Sequence, residues 1–80
     1  MNSNNDFLPI VMTLDAGGTN FVFSAMQGVR EVASPFTLPS HADNLHECLR
    51  TLVSGFERVR ESLPAPAAAI SFAFPGPADY

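Results

Sequence analysis

Between residues 43 and 62 apolar side chains recur at helical spacing, and strand-like runs lie on both sides of that stretch. Leu45, Cys48, Leu49, Leu52, Phe56, Val59 and Leu63 form one apolar stripe on a helix spanning Asp43 to Ser62. A strand that follows so long a helix pairs most readily parallel to an earlier strand, through a right-handed crossover. The chain is thereby restricted to a mixed sheet with a helix laid on it.

Three runs precede the helix and one follows. Residues 8–15 (LPIVMTLD) read as the first strand, with Pro9 tolerated only near its start. Its Ile10, Met12 and Leu14 share one face, and Val11, Thr13 and Asp15 the other. Both faces are mostly apolar, which predicts a strand covered on both sides. Residues 20–27 (NFVFSAMQ) are rich in aromatic and β-branched types and form the second strand. Gly17-Gly18 between the two is a hairpin signal. Gly28 makes a second turn into residues 29–37 (VREVASPFT), whose charges and Pro35 place that strand at an edge. Ser40 or Asp43 can cap the helix, and Pro64 and Pro66 close it. Glu57–Arg60 and Arg58–Glu61 are i, i+3 pairs along it. Residues 67–74 (AAAISFAF) are the fourth strand, strongly apolar. The expected fold is α/β, β-β-β-α-β, with sheet order 3-2-1-4. Residues 1–7 are a flexible N-terminus, and residues 8–80 are one small, incomplete subdomain.

Composition narrows the function classes. The chain is 46% hydrophobic and only 15% charged, against the usual quarter or so for charged residues. This predicts apolar surface buried against something else, and the abrupt end after the fourth strand predicts an exposed apolar sheet edge and self-association of the isolated chain. The four basic residues are scattered arginines and the net charge is −4, so there is no basic footprint for nucleic acid or an anionic membrane. The single Cys48 excludes an internal disulfide. It lies on the helical stripe, as a buried and inert thiol does. His41 and His46 have no third ligand at metal spacing. The start MNSNND lacks a basic region, and FLPIVMTL is too short to span a bilayer. These features fit a cytoplasmic protein.

In the expected topology the first and fourth strands end at one sheet edge. That brings DAGGTN (residues 15–20) beside PGPADY (residues 75–80). Ligand crevices in sheets with parallel strands lie beyond the carboxyl ends of those strands. The residue types there suit a phosphate. Gly17 and Gly18 allow close backbone approach, and turn amides make an anion-binding concavity. Thr19 and Asn20 add short hydrogen-bond donors. Asp15 can hold Mg²⁺ through water, since that ion keeps much of its hydration and takes few carboxylates. The sequence has no lysine, so a GxxxxGK[ST] loop is absent.

LDAGGTN resembles the first phosphate motif of the superfamily of sugar kinases, actin and heat-shock chaperones. LDAGGTNFVFSAM together with ISFAFPGPADY resembles more narrowly the N-terminal domain of the ROK family, the bacterial glucokinase-like sugar kinases and sugar-responsive repressors. The likeness covers about residues 8–80. It implies a half-domain of the ribonuclease-H-like, actin-like ATPase fold. It further implies an ATP-dependent phosphotransferase acting on a hexose, with ATP and Mg²⁺ as cofactors and a homo-oligomeric full-length protein. By position, Asp15, Gly17, Gly18, Thr19 and Asn20 would face the nucleotide phosphates, with Asp15 toward the metal. Pro75, Gly76, Pro77 and Asp79 would sit in a loop near the sugar. The family's catalytic-base aspartate, its sugar-contacting acid and histidine and its cysteine zinc cluster have no counterpart in these residues. No catalytic residue is therefore expected within the chain, and the isolated chain is expected to be inactive.

Other readings compete. A sugar-responsive ROK regulator would carry a helix-turn-helix ahead of DAGGTN, and only thirteen residues precede Leu14 here. A metal-dependent nuclease of the ribonuclease-H-like fold would use Asp15 and Asp79 with two metal ions. It would also need an acid from the helix, and Glu47 lies opposite the apolar stripe.

Overall fold

The computed structural model describes residues 7–73. Strands β1 (Ile10–Ala16), β2 (Asn20–Gln27) and β3 (Arg30–Pro39) are followed by helix α1 (Leu45–Ser62) and strand β4 (Ala69–Ala73). The sheet order is β3-β2-β1-β4. β1 pairs antiparallel with β2 and parallel with β4, and β2 pairs antiparallel with β3. The mixed sheet with order 3-2-1-4 is the one the helix between strands required.

Local chemistry sets the joints. Gly28, at φ 66°, makes the β2–β3 turn in a conformation that suits glycine. The cap of α1 is neither Ser40 nor Asp43. Asn44, in an extended conformation, accepts the Glu47 N–H on its side-chain oxygen at 3.1 Å, satisfying one of the orphan donors of the first turn. At the other end the Leu63 N–H reaches back to the Arg60 carbonyl at 3.2 Å, and Pro64 prevents continuation.

α1 covers one face of the sheet. Ile10, Met12, Leu14 and Ala16 of β1 and Phe21, Phe23 and Ala25 of β2 are buried on that face together with Val59. The β1–β2 register pairs Leu14 with Phe23 and Ala16 with Phe21. Phe23 is fully buried. Its ring meets Phe56 edge-on at 5.2 Å and stacks on Phe36 at 5.4 Å. Gly55 makes this possible, because a Cβ there would lie 2.2 Å from the Phe23 ring.

Several expectations fail, each for a packing reason. Of the helical stripe, Cys48, Leu52, Phe56, Val59 and Leu63 pack on the core, but Leu45 and Leu49 are exposed. Cys48 itself is half-buried. β1 is closed on the helix side only. Val11 and Thr13 are half-buried and Asp15 is exposed, because among the described residues no element lies over the second face. β4 is exposed throughout. Its Phe72 touches Phe56 edge-on at 5.9 Å and is 51% exposed. Neither Glu57–Arg60 nor Arg58–Glu61 closes as an ion pair among the described residues. Arg58 instead sits 4.1 Å over the Phe36 ring, and Glu47 pairs with Arg50 at 3.9 Å. Residues 1–6 and 74–80 lie outside the described part, and with them Phe74, Pro75, Gly76, Pro77 and Asp79.

Candidate functional site

The parallel pairing of β1 with β4 sets Asp15 level with Ala73, so both strands run out at the same edge. This is the edge at which DAGGTN turns. β1 ends at Ala16, the loop runs through Gly17, Gly18 and Thr19, and β2 begins at Asn20. The Gly17 N–H donates to the Asn20 carbonyl at 2.9 Å and closes the loop at its base.

The two glycines have different reasons to be glycine. A Cβ on Gly17 would lie 3.2 Å from the Asn20 carbonyl oxygen, so the hairpin itself crowds a larger residue. A Cβ on Gly18 would meet nothing within 4 Å, and Gly18 is not among the positive-φ residues. Neither backbone conformation nor packing demands glycine at 18. What an added methyl group would occupy there is open space beside the loop.

Asp15, Gly17, Gly18, Thr19 and Asn20 are all exposed. Among the described residues the Gly18 and Thr19 N–H groups donate to no protein acceptor. The Asn20 side-chain amide donates to the Thr19 hydroxyl oxygen at 3.3 Å. That leaves the Thr19 hydroxyl proton for another acceptor. Asp15 stands on the sheet face away from α1, by strand alternation from the buried Leu14. Among the described residues no group of three or more His, Cys, Asp or Glu side chains could cage an ion. A lone exposed carboxylate suits a hydrated Mg²⁺ that takes its remaining ligands from water and phosphate.

Of the nine residues assigned to the site from the sequence, the structure brings the five of DAGGTN together. The other four lie outside the described residues. One residue of this region was missed. Ser40, expected as a helix cap, is 1% exposed at the end of β3. Its N–H donates to the Thr19 carbonyl at 2.9 Å and its hydroxyl to the Gly18 carbonyl at 3.3 Å. Its only signal in the sequence is its place at the end of the meander.

No protein-family model and no curated protein matches the chain. Solved structures do. A glucokinase from Parabacteroides distasonis is 63% identical with a TM-score of 0.80, over 91% of this chain and 21% of that one. A ROK hexokinase from Thermus thermophilus is 27% identical with a TM-score of 0.73, over 88% of this chain and 24% of its own. The chain therefore spans between a fifth and a quarter of the length of these kinases. Over that span it is similar in sequence and fold to a glucokinase and to a ROK hexokinase, and the resemblance carried by LDAGGTN extends to the three-dimensional fold.

Proposed function

We propose that the chain is the N-terminal, nucleotide-phosphate-binding part of an ATP-dependent hexose kinase of the glucokinase-like ROK type. The observation that carries this reading is Gly18. It is a glycine that the fold does not need, and neither its own N–H nor that of Thr19 has a protein acceptor among the described residues. Phosphoryl transfer asks the protein mainly for positioning and charge neutralisation. The Gly18 and Thr19 amides and the Thr19 hydroxyl would take the phosphate oxygens, and Gly17 would keep the turn tight. Asn20 would orient the Thr19 hydroxyl. Asp15 would hold the hydrated Mg²⁺, which offsets phosphate charge when bound.

The chain offers no general base for the sugar hydroxyl in this reading, so phosphorylation belongs to a longer protein. Pro75, Gly76, Pro77 and Asp79 are assigned to the sugar-side loop by their place after β4. Residues 8–80 act as one subdomain, in a cytoplasmic and homo-oligomeric enzyme. Among the described residues no helix is long and apolar enough to cross a membrane.

The test is a titration of the chain with MgATP, followed through the backbone amide resonances. Gly18 and Thr19 should move with saturation. Gly18→Ala should weaken binding at least about tenfold by occupying the phosphate's space, while folding stability stays level or rises by about 0.4–1 kcal/mol through the unfolded chain. Equal binding by Gly18→Ala would sink the assignment of the loop.

A further inference from the structure

We infer that Ser40 is the positioning residue of the phosphate loop, acting on the ligand only through the Gly18 and Thr19 carbonyls that it holds. The inference rests on the phosphate-loop reading above. Three observations converge on it. Ser40 is 1% exposed, and a hydroxyl taken out of water must find a partner. Its donor goes not to its own helix but across the fold, to the carbonyl of Gly18 at 3.3 Å. Its backbone N–H takes the next carbonyl, that of Thr19, at 2.9 Å. Two successive carbonyls of an exposed loop, the first of them 22 positions from Ser40, are thus fastened to one buried residue.

The consequence concerns the amides. A peptide unit held by its oxygen has its N–H direction set as well, because the unit is planar. The Gly18 and Thr19 carbonyls belong to the units that carry the Thr19 and Asn20 N–H groups. The Gly17 N–H is already closed on Asn20. Fastening the oxygens sets the directions of the Thr19 and Asn20 N–H groups before any ligand arrives, and such preorganisation lowers the cost of binding.

The chain beyond Ser40 is shaped to keep it there. His41 adopts φ 54°, an uncommon conformation for a residue with a side chain. Its carbonyl accepts the Asn44 N–H at 2.9 Å, and Asn44 caps α1. Ser40 therefore links the loop to the start of the helix, while the helix is capped by another residue.

The test compares wild type, Ser40→Ala and Ser40→Thr in the same chain, with MgADP as the probe and amide resonances and thermal melting as readouts. Ser40→Ala keeps the backbone bond and removes the hydroxyl. It should weaken MgADP binding about three- to tenfold, the worth of one neutral hydrogen bond. It should also speed amide exchange at Thr19 and Asn20, with the melting temperature within about 4 °C of wild type. Ser40→Thr retains the donor and should bind within about twofold of wild type. Unchanged affinity and exchange in Ser40→Ala would overturn the role of Ser40 and leave the phosphate loop standing. Equal losses in both variants, in step with melting temperature, would reduce Ser40 to a packing residue and also overturn it. Failure of wild type to respond to MgADP would remove the phosphate-loop reading, and this inference with it.

Discussion

Along α1, Gly55 lies against the buried ring of Phe23 and Val59 is buried in the same core cluster, while Leu45, Leu49 and Val53 on the same helix stand exposed. The two stretches share the apolar character of the helix, and only the first has a sheet residue to fill. Phe23 lies on a central strand with Phe36 and Phe56 against it. The other stretch looks over β4, whose Ile70 and Phe72 are themselves about half exposed. Leu49 and Val53 line an apolar groove with Ile70 and Phe72, between helix and edge strand. Apolar periodicity reports which residues could be buried, and the opposing surface decides which are.

Three substitutions probe this contrast, beginning with the largest effect. Phe23→Ala removes the ring common to sheet and helix and should cost about 3–5 kcal/mol, most of what so small a domain has. Chemical denaturation would show it, and a loss under 1 kcal/mol would mean that the packed region is not the source of stability. Gly55→Ala adds one methyl group where the Phe23 ring already lies. Despite the better helix propensity of alanine it should destabilise by about 1–3 kcal/mol through overpacking. A more stable Gly55→Ala protein would show that the ring moves aside freely. Leu49→Ser on the exposed stretch should change stability by no more than about 0.5 kcal/mol. A cost near that of Gly55→Ala would reveal that this surface is covered in solution, and sedimentation equilibrium would then show the assembly that covers it.

The architecture was legible because it follows from few signals. A long apolar stripe between strand-like runs implies the crossover, and Gly17-Gly18 and Gly28 mark the turns. Asp15 to Asn20 could be placed at the sheet edge from that topology alone. The details that escaped depend on contacts between segments distant in the chain. Ser40, Asp43 and Asn44 are all good helix caps by type, and the choice among them was settled by Ser40 being engaged with the loop. β3 runs to Pro39 rather than stopping at Thr37, and this extension is what delivers Ser40 to Thr19. Gly55 reads as a defect in a helix until the ring beneath it is seen. The burial expected for Leu49 needed a partner surface that the described residues do not supply.

The parallel pairing of Val11 with Ala69 also has a consequence in time. The β1–β2–β3 meander closes short loops, whereas β4 reaches β1 only after α1 has been spanned. Loop closure over that distance costs entropy before any contact repays it. The hairpin bearing Gly17 and Gly18, together with the clasp from Ser40, therefore closes over shorter stretches of chain than β4 does. The loop is held by its own half of the sheet, with its hydrogen bonds among the described residues drawn from Asn20 and Ser40 and none from β4.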